Sequence, residues 1–197
     1  IKVAHGHVRA LLKNGVEFIF IPNIIDGETE FPEVNSHFCP WGQTLPYVVE
    51  HSPIMEEYAD KLIKPTVHFR EGIEYVKKEL APLARRFGAR RKHSDKAVEA
   101  AYEAQRRFQT ALVEAGKRAI RQLEESGGLG IVLVGRPYNV NDSGANLDIP
   151  RKLRDYYGVN VIPMDFLPLR GVDISEVNPN MYWNYGRKIL QAARFAG

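Results

Sequence analysis

The chain reads as an α/β fold with mainly parallel strands and a long connecting helix. Three observations predict it: β-branched runs bounded by Gly and Pro, helical apolar spacing between them, and one long 3.6-residue period near the middle. Strand–loop–helix alternation builds parallel sheets, and their ligand chemistry gathers at the carboxyl ends of the strands. Two units are expected, residues 1–93 with a loop carrying Cys39, and residues 94–197 led by the long helix. No repeat of fixed period is visible.

Taken in order, Ala4, Val8, Leu11 and Leu12 share helical spacing. Asn14-Gly15 stops that helix, with Gly15 suited to the left-handed conformation after a C-cap. Val16 to Pro22 is β-branched and aromatic, a buried strand closed by proline. Asn23 to Ser52 reads as an irregular, functional loop, since a stretch of about 30 residues without structure is unusual in a compact domain. Leu62–Phe69 is a second strand, with Pro65 favouring an edge or a bulge. Glu71 to Phe87 is a helix with Ile73, Val76, Leu80 and Leu83 inward, and Pro82 should kink it or end it early.

Ser94 to Ser126 is the clearest helix. Val98, Tyr102, Gln105, Phe108, Leu112, Ala115, Ala119 and Leu123 recur every three or four residues, with Ser94 as N-cap and Asp95 in the first turn. At about 1.5 Å per residue it reaches about 50 Å and should span both halves. A partner coiled coil competes with ordinary packing here, and Gln105 and the alanines weaken its seam. After Gly127-Gly128, Gly130–Val134 is a buried parallel strand and Gly135-Arg136-Pro137-Tyr138 breaks it. Asp148 to Tyr157 is a helix that Asp148 can cap, Pro150 suits and Gly158 closes. Val159–Pro163 completes a crossover expected to be right-handed, and a last helix runs from Asn180 to Phe195.

Composition sets the function classes. With 27 Lys+Arg against 24 Asp+Glu, the net charge is +3, and 44% of residues are hydrophobic. A chain this apolar can order itself, so intrinsic disorder is excluded. Apolar runs such as Val16–Ile25 fall well short of the roughly 20 residues of a membrane helix, so no membrane span is expected. One cysteine permits no internal disulfide, and no charged-then-apolar leader opens the chain, so a reducing cytoplasm is the expected compartment. A surplus of three charges carries no nucleic-acid argument. The basic run Arg85–His93 reads as a solvated helix end rather than a nucleic-acid patch, because interleaved aromatics and a supporting motif are missing.

Three segments could carry chemistry. Cys39, in His37-Phe38-Cys39-Pro40-Trp41, could be a buried small hydrophobe, a nucleophile with His37 as base, or a soft-metal ligand. A single thiolate falls short of the three or four that an iron–sulfur cluster or structural zinc needs. His5-Gly6-His7 resembles a chelator, but helix positions two apart face different ways, which favours hydrogen bonding at a helix end. The Arg136 to Asn146 loop follows a strand and precedes a helix, where anions meet backbone amides. It is neither a Walker A loop nor Gly-x-Gly-x-x-Gly. Arg136, Tyr138, Asn141 and Asp142 make it either a ligand-facing loop or an Asn/Asp-rich turn that satisfies its own backbone.

Five segments together, Val3-Ala4-His5-Gly6-His7-Val8, Phe18-Ile19-Phe20-Ile21-Pro22-Asn23, Cys39-Pro40-Trp41, Gly135-Arg136-Pro137-Tyr138-Asn139 and Tyr182-Trp183-Asn184-Tyr185-Gly186, resemble the acyl-CoA dehydratase activase-related family. Its relatives are 2-hydroxyacyl-CoA dehydratase subunits and double-cubane-cluster proteins. The resemblance runs over nearly the whole chain and implies flavodoxin- or Rossmann-like α/β units with a [4Fe–4S] cluster held by loop cysteines. It implies Cys39 as one metal ligand; His5, His7, Arg136, Tyr138, Asn141 and Asp142 are expected, on their own chemistry, to supply polar groups near the cofactor. Low-potential electron transfer or acyl-CoA dehydration is the implied activity. An ATP-dependent activase module or a dehydratase subunit is the implied partner, acyl-CoA the implied substrate, and a homodimer a further expectation. The family's other cluster cysteines fall before Ile1 and beyond Gly197, and no ATPase motif is present, so the chain reads as a fragment inert by itself. Two other classes stay open: a non-catalytic docking domain for an activase or dehydratase, and a CoA- or nucleotide-binding domain using the Arg136 loop.

Overall fold

A computed structural model describes residues 2–197; Ile1 lies outside them. The fold is mixed α/β, with short parallel strand pairs and a long central helix. It divides into two compact units, residues 1–29 with 35–100, and residues 30–34 with 101–197.

The first unit opens with α1 (Lys2–Lys13), which ends at Gly15 in the left-handed conformation (φ 71°) as its sequence predicts. Four short strands follow: β1 (Ile19–Phe20), β2 (Asn23–Asp26), β3 (Leu62–Ile63) and β4 (Thr66–His68). β1 pairs with β3 and β2 with β4, both in parallel. The two pairs keep one register, with Ile19 opposite Leu62, Phe20 opposite Ile63, Asn23 opposite Thr66 and Ile24 opposite Val67. Hydrogen bonds from Ile21 N to Ile63 O (2.9 Å) and from Asn23 N to Pro65 O (2.8 Å) bridge the gap. This is one parallel ladder interrupted where Pro22 and Pro65 lack an N–H to donate. The strand expected over Val16–Pro22 is therefore cut to two residues, and that over Leu62–Phe69 is split.

The irregular stretch expected over Asn23–Ser52 holds β2 and a helix, α2 (Pro40–Glu50). Pro40, Gly42 and Pro46 disguise that helix, although proline is at home in a first turn. α3 (Ile73–Arg86) passes Pro82 without ending. The carbonyl freed by Pro82 is that of Lys78, and both residues are exposed, so water can serve it. Val8, Ile19, Val49, Met55 and Leu62 form the core, with Leu12, Val16 and Leu45 against them. Val49 and Met55 are fully enclosed, each stabilising by about 1.5–3 kcal/mol relative to exposure.

α4 (Arg91–Ser126) starts in the first unit and ends in the second. It begins three residues before the expected Ser94 cap. The Arg90 carbonyl accepts from His93 N and Ser94 N, so Ser94 lies buried within the first turn. Gln105 and Phe108, placed on the inward stripe by spacing, are exposed, Phe108 by 58%.

In the second unit β5 (Gly130–Leu133) pairs in parallel with β6 (Asn160–Pro163). Between them lie α5 (Pro137–Asn141), where only a break was expected, and α6 (Ile149–Tyr157), closed by left-handed Gly158. Asp148 occupies the N-cap position of α6 but makes no capping bond; its carboxylate pairs with Arg151 instead. α7 (Asn184–Ala196) starts four residues later than expected. Ile162, Met164, Leu167 and Ala192 form this core, with Ile120, Leu123 and Ile189 packed on it. Gly116 of α4 meets it backbone to backbone: a Cβ there would lie 1.9 Å from the Phe166 carbonyl oxygen. Residues 30–34 belong to this unit, where Glu30 accepts from Gly171 N (3.1 Å) and the Arg187 guanidinium stacks 4.8 Å over Phe31.

Candidate functional site

Cys39 stands at the N-cap position of α2, half-buried and unbridged. Its frame is built from β2. Phe38 N donates to Ile25 O (2.9 Å), Gly27 N donates to Ser36 O (2.9 Å), and His37 bridges Asp26 in antiparallel fashion. The chain thus turns back along β2 before entering α2. Gln43 Nε2 clamps the turn by donating to Ile25 O (3.1 Å) and Phe38 O (2.9 Å). The Cys39 carbonyl accepts from Gly42 N and Gln43 N, which fixes the first turn beneath the thiol. Trp41, in that same turn, is 66% exposed.

His5 and His7 both lie in the first half of α1, His5 half-buried and His7 exposed. Among the described residues no three His, Cys, Asp or Glu side chains converge as a metal site would require. Cys39 therefore offers a soft donor in one position only. That suits a single thiolate ligand of an iron–sulfur cluster and does not by itself make a cage.

The carboxyl end of the same ladder holds a group that sequence reasoning missed. Asp26, 5% exposed, accepts from Arg70 N at Oδ1 (2.9 Å), while Arg70 Nη1 donates to Asn35 Oδ1 (2.8 Å). Glu79 of α3 grips His68 twice: Oε2 accepts the backbone N–H (2.9 Å) and Oε1 lies 2.6 Å from Nδ1. With the proton on Nδ1, the other ring nitrogen, Nε2, is left as acceptor. Tyr75 meets the imidazole edge-on at 6.0 Å. The available signal was an Asp and a His at the carboxyl ends of two parallel strands; the Glu partner, eleven residues on, becomes visible only once α3 packs back.

In the second unit the Arg136 loop is largely turned on itself. Arg136 Nη1 donates to Tyr138 Oη (2.9 Å), and its guanidinium stacks 5.3 Å from Trp183. Asn141 Nδ2 donates to Pro137 O (3.0 Å), and Asp142 Oδ1 accepts from Ala145 N (2.8 Å). Of the four polar residues expected to face a ligand here, Asn141 lines a cleft of about 340 Å³ formed with Ser143, Arg151, Arg154 and Val161. The expected site residues belong to both units, Cys39, His5 and His7 to the first, and Arg136, Tyr138, Asn141 and Asp142 to the second.

A model of the family described as CoA enzyme activase uncharacterised domain matches residues 1–167 of the chain's 197. The chain belongs to that family. This bears out the activase-related resemblance carried by the His5-Gly6-His7, Cys39-Pro40-Trp41 and Arg136-Pro137 segments. The matched span of the CoA enzyme activase domain takes in the whole Cys39 frame, the His68–Glu79 pair and the cleft, and stops before α7. No curated protein and no solved structure matches the chain. Among the described residues no helix is long and apolar enough to cross a membrane.

Proposed function

We propose that this CoA enzyme activase domain presents Cys39 as one thiolate ligand of a [4Fe–4S] cluster whose other donors come from outside these residues. The module would serve low-potential electron transfer or acyl-CoA dehydration, alongside an ATP-dependent activase module or a dehydratase subunit. When bound, the cluster supplies one-electron chemistry. The chain's own contribution is placement. The carrying observation is a half-buried, unbridged cysteine on a turn fixed by four hydrogen bonds to or beside β2. A ligand so held loses little freedom on binding, which favours metal capture. Anaerobic reconstitution of a longer stretch of the parent protein with iron and sulfide tests the reading. Cys39→Ser should lower the iron content and alter the visible spectrum; identical iron and spectra in both proteins would overturn the ligand role.

Exposed Trp41 beside Cys39 favours a second reading, a docking domain for an activase or dehydratase partner. That reading expects a pull-down of the partner that survives Cys39→Ser and is lost in Trp41→Ala.

A further inference from the structure

The cleft between the Asn/Ser-rich turn, α6 and β6 takes in Asn141 alone among the residues expected to face a ligand. It is an open surface cleft of about 340 Å³. Val140 and Val161 give it an apolar side, and Asn141 and Ser143 a wall of amide and hydroxyl groups. Arg151 and Arg154, one turn apart on α6, complete the lining together with the Asp148 carboxylate.

The two guanidinium groups are not equally engaged. Arg151 is occupied by Asp148, to which both its Nε and Nη2 are 2.5 Å away. Arg154 donates through Nε to Asp155 Oδ1 (2.9 Å), and its two terminal nitrogens make no hydrogen bond or ion pair with the described residues. A planar fork with two free NH₂ groups beside a partly apolar cleft matches a planar or tetrahedral oxyanion. The carboxylates of Asp148 and Asp155 balance the two arginines, so a bound anion meets one directed fork rather than a broad positive field.

We infer that this cleft binds a small organic anion, its carboxylate or phosphate on the Arg154 fork and its apolar body against Val140 and Val161. The inference does not depend on Cys39 or on the cluster proposal.

The test is an NMR titration of the full 197-residue chain at low ionic strength with three probes: inorganic phosphate, phenyl phosphate and benzoate. Saturable shifts should appear at Asn141, Ser143 and the α6 amides, and phenyl phosphate should bind more tightly than inorganic phosphate. The stronger of phenyl phosphate and benzoate then names the anionic group. Arg154→Gln should weaken that probe by about tenfold, the loss of one charge-assisted contact. Arg121→Gln, an exposed arginine elsewhere on α4, should change nothing. Asp148→Asn, an exchange that tolerates the left-handed backbone there (φ 60°), should leave Arg151 paired with Asp155 alone (3.7 Å), remove a negative charge from the lining and tighten binding several-fold. No saturable shift with any probe, shifts mapping elsewhere, or equal affinities in the native protein and Arg154→Gln would overturn the site.

Discussion

The turn that carries Cys39 and the turn that follows Arg136 both lead from a strand towards a helix, yet they are held differently. Around Cys39 and Asp26 the bonds reach far along the chain: Gln43 to Ile25, Arg70 to Asp26, Glu79 to His68. After Arg136 they stay local: Asn141 to Pro137, Ala145 to Asp142, Asn146 to Val140. A long-range bond forms only when the fold has brought its ends together, so it reports on the tertiary structure. A local one survives in any chain that makes the same turn. The first turn is a product of the fold; the second is written in its own sequence.

The strongest way to break this comparison uses two bonds of the same chemistry. Asp26 and Asp142 each accept a backbone N–H, at 2.9 and 2.8 Å, but the first is part-buried and spans 44 residues, and the second is exposed and spans three. Asp26→Ala should cost about 2–3 kcal/mol in urea unfolding, because it empties a buried position and leaves a part-buried N–H without its partner, and Asp142→Ala less than about 1 kcal/mol. Equal losses would erase the distinction. Next, Gln43→Ala should cost about 1–2 kcal/mol and speed modification of Cys39 by a neutral thiol reagent. Asn141→Ala should change stability by less than about 0.5 kcal/mol.

A smaller effect is expected along the pH axis. Burial, then the hydrogen bond and charge of Asp165, hold the Tyr185 hydroxyl well above the usual tyrosine range. Raised in the folded state, this group contributes stability that is fully present below its ordinary pKa and is lost as pH climbs through the folded value. Tyr185 should therefore ionise after the other tyrosines in an ultraviolet titration. Asp165→Asn should bring it down and move the onset of alkaline unfolding to lower pH.

Much of the fold was legible because its signals are local. Gly15 and Gly158 announce helix ends, the Ile131-Val132-Leu133 run a strand, and the alternation of elements the parallel pairing. α2 and the β1–β2 strand were obscured by prolines that are harmless where they fall, in a helix's first turn or at a gap in a ladder. Cys39 was visible as a residue but not as a turn clamped by Gln43, since that clamp exists only after β2 is laid down. Asp26, His68 and Glu79 stayed hidden for the same reason. The Arg136 loop was read as either an Asn/Asp-rich turn or a ligand-facing one; most of its side-chain bonds stay within the loop, and Asn141 lines the cleft.

The bare backbone at Gly116 has a mechanical meaning for α4. Since a Cβ at residue 116 would come within 1.9 Å of the Phe166 carbonyl oxygen, that position is a keyhole in which no side chain fits. Neighbours on the helix follow at about 100° intervals, so Ala115 or Lys117 would jam the slot if the rod rolled by a single position. The helix is indexed like a keyed shaft, and its rotational phase in this unit is set by an atom that is missing.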